Sequence, residues 1–156
     1  YPRPKAYRNA IAAAAEEAGI PEAAALAVVR AESGFDGAGR AADGGTGLFR
    51  LTYERFSEIC TDILHEPVPE EGMLYDPATN LRAGCAYLSF LYARYGMWEP
   101  VFAAWRAGTE KVDAWILDPA CLNRQGKLTN IPDPAAAKFT TGAAAALKMY
   151  TKLYYQ

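Results

Sequence analysis

The sequence of 156 residues predicts a single, mostly helical domain. Apolar residues recur at helical spacing along most of the chain, and glycine or proline marks the boundaries between these runs. Strand signals are nearly absent, and the sequence contains no internal repeat and no linker that would divide it. We therefore expect residues 1–156 to form one all-α domain, which is long enough to bury a core without disulfide or metal support.

The N-terminal part of the chain predicts two helices followed by an irregular segment. The first helix covers residues 5–18 and stops at Gly19, a residue that suits the left-handed end of a helix. The second begins at Pro21 and ends near Glu32, with an apolar stripe along its length. Glycine is so frequent over residues 34–47 that we expect an ordered, turn-rich loop there rather than a regular element.

The remainder of the chain predicts four longer helices and one short additional turn. The fourth helix of the chain opens with an aspartate and a proline, ends at a glycine, and is expected to be the most buried. A proline-bearing surface loop that contains His65 precedes it. Only the glycine-rich loop and residues 118–133 leave room for a small hairpin. The predicted helix bounds are 52–64, 76–96, 100–108 and 134–154, with the short turn near 112–116.

Composition argues against several classes of function. The formal net charge of −2 provides no basic field for nucleic acid, and no apolar run approaches the roughly 20 residues of a membrane span. The cysteines at 60, 85 and 121 are too widely spaced for a zinc or redox motif, and the only histidine, His65, has no partner pattern. We expect no metal site and no cofactor. The cysteines leave two alternatives open, one disulfide with one free thiol or three buried thiols.

Glu32 is the residue whose position best suits acid catalysis. Cleavage of a glycosidic bond needs a carboxyl group that remains protonated near neutral pH. Glu32 lies at the C-terminal end of the second predicted helix, where the helix dipole disfavours an ionised carboxylate, and Ala31 and Phe35 can help to desolvate it. Both effects raise its pKa. From position alone, a solvent-facing glutamate at a helix end remains the commoner interpretation.

Ordered motifs along the chain resemble the lytic transglycosylase, or soluble-lytic-transglycosylase-like (SLT), family. The chain reads ESGF, GLFR, DPATNLRAGCAYL, AAWRAG and NIP…F where the family has E-S-x-F, G-L-M-Q, D-P-x-x-N-I-x-x-G-x-x-Y-L, A-A-Y-N-A-G and I-P…Y. Several motifs in the right order are far more specific than any one alone. The resemblance runs from about residue 7 to residue 154. The matching segments are residues 32–35, 47–50, 76–88, 103–108 and 130–139.

The resemblance implies a lysozyme-like α fold with the glycine-rich loop, or a small hairpin, beside an active-site cleft. It implies that Glu32 protonates the glycosidic oxygen between N-acetylmuramic acid and N-acetylglucosamine and then takes the proton of the muramic acid 6-hydroxyl, so that a 1,6-anhydro sugar forms without water. One carboxyl group then suffices, unlike the pair used by most glycosidases. The resemblance assigns substrate binding to Ser33, Gly47, Leu48, Phe49, Arg50, Tyr87, Trp105, Arg106 and Phe139.

Five of these positions depart from the family pattern. Phe49 replaces a methionine, Trp105 and Phe139 replace tyrosines, Arg50 replaces a glutamine and Arg106 replaces an asparagine. An arginine that faces the cleft can pair with Glu32 and lower its pKa, which is the wrong direction for a general acid. It can instead bind the lactyl or peptide carboxylates of the cell wall.

The departures leave three functional hypotheses. The first is a peptidoglycan lytic transglycosylase, and the second is a weakened or inactive relative that binds glycan strands or a partner protein. The third is a hydrolytic muramidase, which needs a second acid such as Asp43. In each case we expect peptidoglycan strands as the ligand, cell-envelope proteins as candidate partners, and a monomer. The expected location is extracytoplasmic, with a native signal or membrane anchor upstream of Tyr1.

Overall fold

Seven α-helices make up most of the structure, a computed structural model that describes residues 1–156, and no β-sheet is present. This confirms the predicted all-α class. None of the helices combines the length and apolar character needed to cross a membrane. The helices are α1 (Lys5–Ala18), α2 (Glu22–Ser33), α3 (Tyr53–Glu58), α4 (Pro77–Tyr95), α5 (Trp98–Ala107), α6 (Thr109–Trp115) and α7 (Pro134–Tyr154).

Most of the helix boundaries follow from capping chemistry that is visible in the sequence. The side chain of Thr52 accepts a hydrogen bond from the Arg55 amide at the start of α3, and Asp76 caps α4 in the same way. Asp133 caps α7 ahead of a proline in its first turn. At the other ends, α1, α2 and α4 stop at glycines in the left-handed conformation, as predicted for the first and third of these.

Four predictions for helices and turns differ from the structure, one of them the short turn near 112–116, which is the helix α6 over Thr109–Trp115. The helix predicted over residues 52–64 is α-helical only to Glu58 and continues as a π-helix over Ile59–Leu64. The helix predicted from Pro100 begins at Trp98, because a proline is tolerated in the first helical turn, where amides have no intrahelical acceptor. The surface loop before α4 contains a 3₁₀ turn at Glu71–Tyr75 that the sequence pattern did not predict.

The core lies between α2, α7 and α5 on one side and between α1 and α4 on the other. α4 has the largest number of buried residues, eight of nineteen, but α2 has the larger buried fraction, with seven of twelve buried without interruption from Ala23 to Val29. Four of those seven residues are alanines, whose small side chains let neighbouring helices approach α2 from several directions. The C-terminus of α2, which carries Glu32, is thereby held by the best-packed part of the molecule.

The two segments predicted as candidate hairpins contain isolated bridges instead of strands. In the glycine-rich loop, Thr46 forms antiparallel bridges to Arg40 and Leu51, and a third bridge joins Leu122 to Leu128. His65 is exposed at the end of the π-helix, as predicted for a solvated loop residue. The three cysteines are free and buried, which corresponds to the second of the two alternatives left by the sequence.

Candidate active site

An open cleft crosses the surface beside the C-terminus of α2. Its volume of about 200 Å³ lies somewhat below the ~300–1,000 Å³ typical of ligand-binding pockets. Its walls come from α2, the glycine-rich loop, the start of α3, α4 and the end of α5. The lining residues are Glu32, Asp43, Arg50, Leu51, Thr52, Arg55, Tyr87, Trp105 and Arg106.

Glu32 occupies the penultimate position of α2 and contributes its carboxyl group to this cleft. Gly34 ends the helix with a φ of 58°, and the chain then turns into the glycine-rich loop. The Glu32 side chain is only 8 % exposed. Its Oε1 accepts a hydrogen bond of 2.7 Å from an Nη2 of Arg106, on the last turn of α5. The carboxyl group is therefore buried, paired with one cation and still at the cleft surface.

Burial is the largest influence on Glu32 and raises its pKa above the ordinary value for a glutamate. The positive charge of Arg106 opposes this rise, as do a hydrogen-bonding interaction with Trp105 and the charge of Arg50. The negative charge of Asp43 adds to it. The net direction is upward, so burial outweighs the ion pair. A raised pKa is the direction predicted for a general acid, even though the predicted competing arginine is also present.

Arg106 is held on two sides. In addition to its hydrogen bond with Glu32, its guanidinium lies over the ring of Phe139 at 4.8 Å from the ring centroid. The Phe139 side chain is buried, so it forms a floor for Arg106 and leaves little surface for a ligand. Arg106 itself is 40 % exposed. Of this pair, Arg106 is the residue that a bound ligand can reach.

Arg50 points into the glycine-rich loop instead of out of the cleft. Its Nη1 donates hydrogen bonds to the carbonyl oxygens of Asp36, Gly39 and Gly47, and the side chain is 11 % exposed. Its own backbone is in the left-handed region, with a φ of 49°. Its main contacts are thus structural. Arg50 holds the glycine-rich loop closed, and only a small part of its side chain is exposed in the cleft.

Ser33 and Asn80 fix the G-L-F-R segment against the helices. The Ser33 hydroxyl donates a hydrogen bond of 2.6 Å to the Leu48 carbonyl and is thereby occupied within the protein. Asn80, on α4, is fully buried: its Oδ1 accepts from the Phe49 amide and its Nδ2 donates to the carbonyl oxygens of Thr46 and Leu74. Asn80 was not among the predicted site residues, although it is the asparagine of the D-P-x-x-N motif.

The predicted binding residues Gly47, Leu48 and Phe49 lie beneath the cleft. Leu48 and Phe49 are 1 % and 0 % exposed, so their side chains offer a ligand no surface and support the cleft from below. Gly47 has a φ of 76°, and a Cβ there would overlap Asn80. We therefore reassign these residues, with Ser33, from substrate contact to support of the site.

Aromatic side chains form one wall of the cleft. Trp105 packs between Phe49 and Tyr87, with ring centroids 5.2 and 5.6 Å away. Tyr87 is 4 % exposed, and the Arg55 guanidinium covers its ring at 4.7 Å. Trp105 is half-buried and has the most accessible aromatic face of the group. Arg55 and Thr52 line the same wall and were not predicted, because the family motifs do not include them.

Asp43 is an exposed residue that also lines the cleft, and its Oδ1 accepts a hydrogen bond from the Gly45 amide. The structure therefore brings a second carboxyl group into the cleft that contains Glu32. No cluster of three histidine, cysteine or acidic side chains capable of holding a metal ion is found.

Comparison with known proteins relates this geometry to one family. A family model described as the transglycosylase SLT domain matches residues 9–125. The soluble lytic murein transglycosylases of Escherichia coli K12 and O157:H7 are each 28 % identical over 99 residues, which are 62 % of this chain but 15 % of theirs. This chain therefore spans only a small part of the curated relatives that it matches.

Solved structures show the same relationship over nearly the whole chain. An inactive mutant of the lytic transglycosylase Slt from Pseudomonas aeruginosa aligns with a TM-score of 0.84 and 25 % identity, covering 96 % of this chain and 24 % of its own. The 70-kDa soluble lytic transglycosylase SLT70 from Escherichia coli aligns with a TM-score of 0.88 and 22 % identity over 98 % of this chain and 25 % of its own. The predicted lysozyme-like helical fold is confirmed. Because the family match covers most of its length, the chain belongs to the transglycosylase SLT domain family.

Proposed function

We propose that this domain is a peptidoglycan lytic transglycosylase and that Glu32 is its only acid/base. The observation that carries the proposal is the state of Glu32: a carboxyl group with a raised pKa, 8 % exposed, at the surface of an open cleft. A general acid works best when its pKa lies near the operating pH, and burial moves Glu32 in that direction.

The proposed reaction uses Glu32 twice. The protonated carboxyl group gives its proton to the oxygen that leaves as the 4-hydroxyl of N-acetylglucosamine, while the bond from that oxygen to the muramic acid anomeric carbon breaks. The carboxylate then takes the proton of the muramic acid 6-hydroxyl as this oxygen bonds to the anomeric carbon. The proton count balances, the product is a 1,6-anhydro sugar, and no water is consumed.

Trp105 and Arg106 are the proposed substrate-binding side chains, since both have exposed surface in the cleft. The face of Trp105 can stack on a sugar ring, although the tryptophan lacks the phenolic hydroxyl of the family's tyrosine. Arg106 has further hydrogen-bond donors for an acidic group. Gly47, Leu48, Phe49 and Asn80 act indirectly, because they hold the loop that shapes the cleft.

Two observations favour other functions of the same cleft. Asp43 lies in the cleft with Glu32, which gives a hydrolytic muramidase a second carboxyl group. The ion pair between Glu32 and Arg106 opposes protonation of Glu32, which favours a weakened enzyme that binds glycan without cleaving it. Product chemistry separates these two from the leading proposal.

The decisive experiment is mass spectrometry of soluble products after incubation of purified peptidoglycan with the domain. We expect anhydro-muropeptides from the parent and none from Glu32→Gln. Glu110→Gln, which alters an exposed glutamate on α6, is the matched control and should behave as the parent. Products with reducing ends would assign hydrolysis instead, and Asp43→Asn would then be inactive. Absence of products from the parent would leave a glycan-binding domain.

A binding measurement would give direct support for the alternative of a domain that binds glycan without cleaving it. Bulgecin A forms a complex with a 70-kDa soluble lytic transglycosylase whose structure aligns with this chain at a TM-score of 0.88, so we propose it as a cleft ligand for this domain as well. Saturable binding without product formation would identify a glycan-binding domain.

Because peptidoglycan lies outside the cytoplasmic membrane, we also propose an extracytoplasmic location. The activity, partners and location of the whole protein are proposals, since this chain spans a small part of its relatives.

A further inference from the structure

Arg106 differs from the other two arginines of the cleft in its partner, because its side chain pairs with a buried carboxyl group. An arginine carries five N–H donors. Arg50 uses its donors inside the glycine-rich loop, and Arg55 is paired with Glu58. The only side-chain hydrogen bond of Arg106 goes to Glu32, and its side chain is 40 % exposed. Arg106 therefore has free donors for an anion from the cleft, and its partner is 8 % exposed, whereas Glu58, the partner of Arg55, is 49 % exposed.

Glu32 is an unfavourable permanent partner for this arginine. Its carboxyl group is buried, and burial favours its neutral form. The carboxylate of a ligand that remains partly hydrated is ionised at neutral pH, and it can accept two parallel hydrogen bonds from a guanidinium. Phe139 lies beneath Arg106 and keeps the guanidinium at the cleft whichever partner it holds.

We propose that Arg106 exchanges partners when substrate binds. Arg106 releases Glu32 and pairs instead with a carboxylate of the glycan strand, and Glu32 takes up a proton from solvent. The inference rests on the proposed function, in that the ligand is a muramic acid glycan. The carboxylate belongs either to the lactyl group of muramic acid or to an attached peptide. Binding of an anionic strand would thus convert Glu32 into the acid that the first catalytic step requires.

Of the other charges around Glu32, that of Asp43 favours this exchange and that of Arg50 opposes it more weakly. Arg50 and Asp43 face it from the glycine-rich loop, Arg55 lines the cleft from α3, and the titratable Tyr87 does so from α4. Arg50 and Arg55 already have partners and stay in place, so neither replaces Arg106 at Glu32. Once Arg106 moves, burial and the negative charge of Asp43 both favour the protonated carboxyl group. Linkage makes the effect reciprocal, so protonation of Glu32 strengthens carboxylate binding.

The test is calorimetric titration of the folded domain at neutral pH, in buffers of different ionisation enthalpy. The ligand is the disaccharide N-acetylglucosaminyl-N-acetylmuramic acid, which the proposed reaction leaves intact because it has no muramic acid to glucosamine bond. Three forms are compared: the free lactyl acid, its lactyl amide and a peptide-bearing form. We expect net proton uptake with a carboxylate form and none with the amide. Uptake confined to the lactyl acid or to the peptide form identifies the source of the carboxylate.

Variants show whether the proton is taken up by Glu32. Glu32→Gln should abolish proton uptake and tighten binding of the carboxylate form by about 3- to 10-fold, because the competing carboxylate is gone. In a protein that already carries Arg106→Gln, adding Glu32→Gln should not tighten binding of the carboxylate form. The single variant Arg106→Gln should bind the free lactyl acid and the lactyl amide equally. Arg94→Gln breaks an ion pair with Asp113 outside the cleft and should match the parent.

Equal proton exchange for acid and amide would overturn the inference, as would absence of binding by every form at millimolar concentration. These failures are distinct from failure of the proposed function. Anhydro products without proton uptake would leave the transglycosylase standing and remove the exchange. Proton uptake and carboxylate preference without any products would leave the exchange standing in a domain that only binds glycan.

Discussion

At the residue scale, the pairing of Glu32 with Arg106 should govern the pH dependence of activity. A general acid must start protonated, so the rate falls as pH rises through the pKa of Glu32. Arg106 is the strongest of the effects that lower this pKa. Arg106→Gln should therefore move the alkaline limb of the pH–rate profile to higher pH, whereas Arg106→Lys should retain its position. The measurement is kcat/KM against pH, which reports the free enzyme in which the two residues are paired, and an unmoved limb in Arg106→Gln would contradict the prediction.

Glu32 should also cost the protein stability at neutral pH. Because its pKa is raised in the folded state, the folded protein holds a proton that the unfolded chain has lost at pH values between the two pKa values, and above both values it holds a buried carboxylate. The associated stability is present below the unfolded-state pKa and is lost as pH rises through the folded-state pKa. Glu32→Gln should thus stabilise the domain by about 0.5–2 kcal/mol at pH 7, with little effect at pH 4. Thermal unfolding at the two pH values checks this; an equal gain at both would refute the linkage.

Asn80 should be essential to folding rather than to chemistry. Asn80→Ala leaves the buried Phe49 amide and Leu74 carbonyl without partners, and each unsatisfied group costs about 1–3 kcal/mol; the Thr46 carbonyl keeps its bond from the Leu51 amide. We expect a loss on the order of 3 kcal/mol or more in urea unfolding. Asn130→Ala removes one exposed hydrogen bond to the Ala120 carbonyl and should change stability by less than about 0.5 kcal/mol. If Asn80→Ala lowered the free energy of unfolding by as little as Asn130→Ala, the glycine-rich loop would be held by other contacts.

At the scale of elements, two glycines inside helices should respond in opposite ways to alanine. A Cβ at Gly84 of α4 would overlap the ring of Phe49, whereas one at Gly142 of α7 would meet nothing. Gly84→Ala should therefore destabilise the domain by about 1–3 kcal/mol. Gly142→Ala should stabilise it by about 0.5–1 kcal/mol, since alanine is the better helix former. Urea unfolding of both variants tests the pair, and stabilisation by both would show that α4 can move away from Phe49.

The helices were predictable where the chain signals its own boundaries. The start of α4 at Asp76 and Pro77 and its end at Gly96 were predicted correctly because caps act locally. The π-helix after Glu58 was not predicted, since its residues continue the apolar run of α3 and periodicity cannot distinguish the wider turn. The degree of burial of α2 was also missed, because alanine gives little periodic contrast with its neighbours.

The candidate site was predictable in about half of its members, since five of the ten predicted residues line the cleft: Glu32, Arg50, Tyr87, Trp105 and Arg106. The position of Glu32 followed from its motif, and its pKa shift from its place at a helix end and from desolvation. The inward direction of Arg50 was not predictable, because it depends on three carbonyl oxygens that only the folded glycine-rich loop brings together. Ser33 and Phe49 likewise belong to motifs whose residues serve packing as well as ligand contact, and sequence does not separate the two.

At the scale of the whole molecule, the cleft and the core are parts of one packing arrangement. Both ends of the chain are tied into it: the hydroxyl of Tyr150 donates to the Pro2 carbonyl at 2.6 Å, and that of Tyr154 donates to the Tyr1 carbonyl at 2.9 Å. A single core cluster extends from α1 to α7 and includes Phe49 beneath the cleft. Unfolding should consequently be cooperative, so substitutions under the cleft register in global stability.

The three cysteines provide a test of this core that needs no substitution. Cys60, Cys85 and Cys121 are free and no more than 4 % exposed, and burial raises the pKa of each thiol, that of Cys85 to about 12. Thiolates are the reactive form, so an aromatic disulfide reagent should label the native domain slowly. In denaturant without reductant it should label all three thiols, and reductant should leave the melting temperature unchanged. If only one thiol reacted in denaturant, the other two cysteines would be joined in a disulfide, and the core around them would have to pack differently.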